Sequence, residues 1–314
     1  MTTTIVISEF MDEAAVALLR HKFQVRYVPE LVDDRAALLA AVADAEGLIV
    51  RNRTQVDTEL LKHATRLRVV GRLGVGLDNI DMPACAAANV AVHPATGANA
   101  RAVAEYVITA TLVLLRGAFG ASADVAAGKW PRNELSNGLE ASERTMGIVG
   151  FGGIGRLVAQ LAHGLGMRVI ASDAAISADD ERWQQRRVLR GELEDVLAQA
   201  DVVTLHVPLT DGTRHLLDAA RIASMKRGAI LINTARGGVV DEEALAQALK
   251  SGALGGAALD VFEDEPLKAG SPLMGAPNLI LTPHIAGLTA EANVRVSGLV
   301  AERVADALSL VAAN

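Results

Sequence analysis

The chain has 314 residues, 51% of them hydrophobic but only 3% aromatic, with a formal net charge of −7. That length suggests about two domains and buries enough surface to fold without disulfides or metals. The single cysteine, Cys85, excludes an intramolecular disulfide and a thiolate zinc cluster, and the acidic balance argues against nucleic acid, whose phosphates demand a basic surface.

The start, MTTTIVISEFMDE, has no basic n-region and no long apolar stretch, so no signal peptide is expected. Strands and helices then alternate. Ile5–Ser8 reads as a strand, Asp12–His21 as a helix with Ala15, Leu18 and Leu19 on one side, and Phe23–Val28 as a strand. Ala36–Ala43 is helical, Gly47–Val50 a buried strand, Asp57–His63 a helix and Leu67–Gly71 a strand. The punctuation changes at PATGAN (94–99), a hinge candidate, before a long apolar-periodic helix, Ala100–Arg116, with Asn99 as its expected N-cap. Its apolar run Val107–Leu115 is too short to span a bilayer, so no membrane partner and a cytoplasmic location are expected.

Residues 117–143 read as a polar loop with one short helical piece. Alternation then restarts: Met146–Gly150 strand, Arg156–His163 helix, Arg168–Asp173 strand, Glu192–Ala200 helix and Asp201–His206 strand. Ala229–Asn233 and Ala257–Val261 are strands around a helix, Asp241–Lys250, with Asp241 as N-cap and Gly252 as C′. Asn278–Thr282 is the last strand, and Ala290 to about Leu310 the last helix. Two alternating blocks rich in small aliphatic residues imply an α/β fold with two parallel-sheet domains.

The segment MGIVGFGGIGRLVAQLA holds the pattern Gly150-x-Gly152-Gly153-Ile154-Gly155 between an expected strand and an expected helix. In that context it reads as a dinucleotide fingerprint. Gly150 permits the turn, Gly152 lets the backbone approach a pyrophosphate, and Gly155 allows close helix–strand packing. The next strand ends in Asp173, an acid placed to accept from the adenosine ribose hydroxyls and to repel a 2′-phosphate. No Arg or Lys follows in residues 173–176, so NAD is expected over NADP.

Three more segments place polar residues just after strands: INTARGGVVDEEAL with Arg236, ALDVFEDEPL with Glu265, and LTPHIAG with His284. Ligands of open α/β sheets bind outside the carboxyl ends of the strands, and a guanidinium, a carboxylate and an imidazole there suit acid–base chemistry on an anion. Taken singly, each reads as a loop cation, a solvated turn residue and a structural histidine.

In this order after the fingerprint, and with GRLGVGLDNID, NARAVAEY and HVPLT, the chain resembles the D-isomer-specific 2-hydroxyacid dehydrogenase family along nearly its whole length. The resemblance implies a Rossmann NAD domain, 99–287, inserted in a flavodoxin-like substrate domain made of 1–98 and 288–314, and a homodimer built partly on the long helix after the hinge. It implies that Arg236 binds the substrate carboxylate, that His284 is the acid–base group and that Glu265 orients it. NAD contacts carry over to Gly150, Gly152, Gly153, Ile154, Gly155, Asp173, Val207, Pro208, Thr234, Ala235, Arg236, Asp260, His284 and Gly287, with no metal. Many relatives have Arg, Lys or His where this chain has Gly153, which implies a pyrophosphate held by backbone N–H groups. His206 is expected to be structural.

The substrate is expected to be a small anionic 2-hydroxy or 2-oxo acid. Arg51 and Arg53, two apart in VRNRTQV, would share a face if the chain there is extended; Arg72, Gly74, Val75 and Gly76 form the glycine loop GRLGVG. In phosphoglycerate dehydrogenases the matching segments lie near the substrate phosphate. The stretches RNRTQVD, GRLGVGLDNID and PATGAN are similar to those of sulfolactate dehydrogenases, so 3-sulfolactate ranks first, then 3-phosphoglycerate, then hydroxypyruvate or glyoxylate. The chain ends at Asn314, without the regulatory extension of long phosphoglycerate dehydrogenases, so serine feedback is not expected. A non-catalytic NAD(H)-sensing corepressor-like protein would carry the same three residues.

Overall fold

The computed structural model describes residues 3–184 and 187–311; the expected domain termini, 1–2 and 312–314, lie outside the described residues. The chain divides into two units, Met1–Asn99 with Leu288–Asn314, and Ala100–Gly287.

In the first unit, β1 (Thr4–Ile7), β2 (Gln24–Tyr27), β3 (Gly47–Val50), β4 (Val69–Arg72) and β5 (Ala91–Pro94) form a sheet of order 2-1-3-4-5, with every pair parallel. This is the flavodoxin-like doubly wound order. Strands covered on both faces read as continuous apolar runs, and TIVI and GLIV are buried throughout. Alternate residues point to opposite faces. Ile5, Ile7, Ile49 and Val69 pack under Glu13–Arg20 and Ala290–Val311. Val6, Leu48, Val50 and Val70 pack under Arg35–Val42, Thr58–His63 and Met82–Ala87. The last helix lies so close to β4 that a Cβ on Gly71 would come within 2.6 Å of Val300.

The second unit holds β6 (Thr145–Val149), β7 (Arg168–Ser172), β8 (Leu189–Arg190), β9 (Val202–Leu205), β10 (Ile230–Asn233), β11 (Gly256–Leu259) and β12 (Leu279–Leu281). Their order is 12-11-10-9-6-7-8, all parallel. Counted within the unit this is the Rossmann arrangement with one added strand, and the direction of winding reverses between β6 and β9. Ala100–Arg116 and Gly153–Gly164 cover one face; Leu193–Gln199, Ala219–Ser224 and Glu242–Lys250 cover the other.

Local caps follow the chain chemistry. Asp12, Asp34, Asp57, Asp81, Asp218 and Asp241 each accept a backbone N–H in the first turn of their helices, and Gly252 takes the expected C′ place at φ +68°. Asn99 differs from expectation: its Oδ1 is buried without a hydrogen-bond partner, so it does not cap the long helix through its side chain. The fingerprint helix starts at Gly153, not Arg156; its first turn holds low-propensity glycines, which hide it from a periodicity reading. No single helix among the described residues is long and apolar enough to cross a membrane; one pair bent by 75°, beginning with Ala100–Arg116, passes on composition, and its first helix packs into the core.

Candidate functional site

In the second unit, six adjacent strands deliver the expected residues at their carboxyl ends: Gly150 after β6, Asp173 after β7, Val207 after β9, Thr234–Arg236 after β10, Asp260 and Glu265 after β11, and His284 after β12. The chemistry-bearing side chains therefore line one edge of one sheet.

The fingerprint turn is built by close backbone contacts. Gly150 has φ +95°, and a Cβ there would lie 2.6 Å from the His206 carbonyl oxygen. A Cβ on Gly155 would lie 2.3 Å from the Gly150 oxygen. Gly152 and Gly153 face open space, and the helix behind them has no side-chain N-cap. Its first N–H groups are therefore open to an anion. Phe151 points inward, fully buried and stacked on Trp183 at 4.9 Å, and Ile154 packs on the same cluster. The Asp173 carboxylate accepts the Phe151 N–H (2.7 Å) and the Ala175 N–H (2.9 Å). Each oxygen keeps acceptor capacity for a hydroxyl.

At the other strands, Asn233 is 2% exposed. Its Oδ1 accepts the Ala235 N–H and its Nδ2 donates to the Arg236 carbonyl, which pins the turn carrying Arg236. Arg236 is half-buried and donates through Nη1 to the Ala235 carbonyl at 2.6 Å. A Cβ on Gly237 would stand 1.7 Å from the Phe262 carbonyl oxygen, so glycine lets the Arg236 turn and the Glu265 loop lie against each other. Glu265 accepts the Phe262 N–H through Oε1 (3.1 Å) and faces His284 Nδ1 through Oε2 (2.8 Å).

His284 has φ +55°, a conformation that costs a non-glycine residue about 1–3 kcal/mol. Asp260 over-determines it. That carboxylate, in a residue 1% exposed, accepts from Thr282 Oγ1 (2.6 Å) and from the N–H groups of Ile285 and Ala286 (2.8 Å each). The Asp260 carbonyl also accepts the His284 N–H at 2.8 Å. Asp260, expected among the cofactor contacts, thus has its carboxylate buried under the His284 loop as the anchor of that loop. Tyr106 reaches the same network through Thr282 at 2.6 Å.

His206 donates its N–H to the Val149 carbonyl at 2.7 Å and pairs its Nε2 with Thr204 at 3.1 Å. Surrounding protein pushes its imidazole down to about 3, so it is a neutral side chain near neutral pH, in line with a structural role. Val207 flanks Gly150, the Pro208 carbonyl accepts Thr213 Oγ1 at 2.6 Å, and Gly287 closes the turn after His284.

In the first unit, the chain bends at residues 52–54, directly after Arg51, so the alternation expected to put Arg51 and Arg53 on one face does not apply. Arg53 is ion-paired with Asp33, both well exposed. Arg51 donates to Asn293 at 2.7 Å and lies over the Phe10 ring; burial pushes its guanidinium below the usual value. Arg72 ends β4 with its guanidinium over Gly74, where a Cβ would collide at 1.5 Å. Val75 is exposed and Gly76 half-buried in the loop beyond.

The model of the family described as D-isomer specific 2-hydroxyacid dehydrogenase, NAD binding domain, matches residues 108–286. Over 98% of both chains, the sequence is 55% identical to (S)-sulfolactate dehydrogenase of Chromohalobacter salexigens. The chain belongs to the D-isomer specific 2-hydroxyacid dehydrogenase family.

It is also 40% identical to D-3-phosphoglycerate dehydrogenase of Mycobacterium leprae over 97% of this chain, which spans 57% of that relative. The solved TT0316 protein from Thermus thermophilus superposes with a TM-score of 0.88 at 34% identity, covering 98% of this chain and 97% of its own. Membership makes the chain an NAD-dependent oxidoreductase of 2-hydroxy acids. The residues present fit NAD: open glycines at a helix N-terminus, Asp173 with spare acceptor capacity, and a buried Thr234 Oγ1 without a hydrogen-bond partner.

Sequence reasoning missed Asn233, and it placed Asp260 among the NAD contacts rather than beneath the His284 loop. An Asn that ends a strand before a turn, and an acid directly after a buried strand, are the signals that were available.

Proposed function

We propose that this dehydrogenase interconverts 3-sulfolactate and 3-sulfopyruvate, with 3-phosphoglycerate second and hydroxypyruvate or glyoxylate behind them. The observation that carries the reading is the 55% identity over 98% of both chains with a sulfolactate dehydrogenase. The phosphoglycerate enzymes share less and extend further.

In this reading Arg236 grips the substrate carboxylate, a task suited to a planar fork of donors. His284 exchanges the hydroxyl proton through Nε2, because Nδ1 is held by Glu265. It gives the proton to the carbonyl oxygen in reduction and takes it in oxidation, and the Glu265 carboxylate compensates the charge it gains. Asp260 acts as a positioning residue, holding the loop that presents His284. Bound NAD supplies the hydride acceptor for oxidation, and NADH the donor for reduction. The fingerprint N–H groups from Gly152 to Gly155 take the pyrophosphate, Asp173 the adenosine ribose, and Val207, Pro208, Thr234, Ala235 and Gly287 line the dinucleotide. Arg51 and Arg72, with the Gly74–Gly76 backbone, are assigned to the C3 anion; Arg53 is assigned to its surface ion pair.

The protein is read as a cytoplasmic homodimer. Phe119 (64% exposed), Trp130 (77%) and Val125 (45%) support this, as large apolar side chains along the segment after the long helix.

NADH oxidation against a panel of 2-oxo acids tests the enzyme reading. Turnover is expected, fastest with 3-sulfopyruvate. Binding of NADH with no turnover of any acid would favour the non-catalytic sensor.

A further inference from the structure

We propose that Glu9 is a positioning residue that presets the loop 51–54, and with it Arg51, for the C3 anion of the substrate. The proposal rests on the substrate reading above and adds a residue to it.

Glu9 follows β1 and is 5% exposed. A buried carboxylate persists only when its acceptor capacity is filled. Here Oε1 accepts the Arg51 N–H (2.8 Å) and the Thr54 N–H (3.0 Å), and Oε2 accepts the Arg53 N–H (3.2 Å). Three amides of one bend converge on one carboxylate. The other side of the bend is held as well: Asn79 Nδ2 donates to the Thr54 carbonyl at 2.7 Å, and Ser8 and Thr54 share a hydroxyl hydrogen bond at 3.0 Å.

The guanidinium of Arg51 is set by neighbours of the same segment. It lies over Phe10, the residue after Glu9, and donates to Asn293 on the last helix. Glu9 also attracts the charges of Arg51 and Arg53. One buried acid thus fixes the backbone of a doubly cationic bend and offsets its charge, so the bend is formed before an anion arrives. Such preorganisation improves affinity by removing the cost of ordering on binding.

Glu9→Gln tests this, because an amide NH2 in place of one oxygen faces a backbone N–H and breaks part of the clamp. In the full-length enzyme, amide hydrogen exchange at residues 51–54 is expected to rise about tenfold, and kcat/KM for 3-sulfopyruvate to fall about tenfold more than for glyoxylate, mainly through KM. Glu9→Asp, which keeps both acceptors, is expected to recover most of each effect. If Glu9→Gln does not fold, Glu9→Asp against wild type carries the same comparison with smaller changes in the same directions. Unchanged exchange at 51–54, or equal loss for both substrates, would overturn the proposal. A wild-type enzyme with no preference for 3-sulfopyruvate over glyoxylate would instead overturn the substrate reading, before any variant is made.

Discussion

His284, Glu265 and Arg236 are held by different means, and their variants should fail differently. His284→Ala removes the proposed proton-transfer group and is expected to lower kcat about 10²–10⁴-fold; near-normal turnover in steady-state assays would remove His284 from the mechanism. Arg51→Ala should weaken 3-sulfopyruvate more than Arg53→Ala does, because Arg53 is spent on Asp33 at the surface; equal KM effects would contradict the assignment. His206 sets a pH dependence of stability. Its folded-state value lies near 3, against 6.5 for a free histidine, so the unfolded chain binds the extra proton. The stability that His206 contributes is present above pH 6.5 and is lost as pH falls toward 3, with a slope of at most about 1.4 kcal/mol per pH unit. Thermal melts between pH 7 and 5 should show this decline, and His206→Gln should flatten it.

At the scale of elements, the continuously buried or clearly periodic pieces were legible, and the partly exposed or proline-interrupted ones were not. Gly47–Val50 is a strand over the expected residues, since three consecutive buried aliphatics behind Gly47 leave little ambiguity. The helix Met82–Ala87 escaped notice because its pattern is six residues long and Pro83 sits in its first turn. The strand Ala91–Pro94 was missed because it is a partly exposed edge carrying His93 and Pro94. The bend at 52–54 was read as extended because nothing local reveals Glu9, which lies 42 residues before Arg51 in the chain. The site was more legible than such loops, because strand ends in a parallel sheet are where the fold presents functional residues. The His284–Glu265 pair could be expected from sequence; the burial of Asp260 beneath the same loop could not, since it depends on where β12 lies beside β11. The glycines give an element-scale test. Gly155→Ala puts a methyl 2.3 Å from a backbone oxygen and should both lower the melting temperature and weaken NAD binding. Gly153→Arg enters open space and should leave the melting temperature near wild type while tightening NAD, as read by titration calorimetry.

For the whole molecule, length and charge first suggested two domains and an acidic enzyme. The sheets refine that into a flavodoxin-like order in one unit and a Rossmann order in the other. The first unit draws on both ends of the chain, and its last helix packs against β4. In the proposed function, a chain of net charge −7 meets an anionic substrate through the local field of a few arginines. Light scattering after size exclusion should give twice the 32.8 kDa chain mass, and Trp130→Ser should shift that equilibrium toward monomer.

In the proposed function, this family member reads an anion at C3. The ratio of kcat/KM for 3-sulfopyruvate to that for glyoxylate, with saturating NADH, tests it most directly. One charge-assisted contact used by only one substrate corresponds to a ratio of about 10–150. A ratio of at least about tenfold is predicted, and a ratio at or below one would contradict the account.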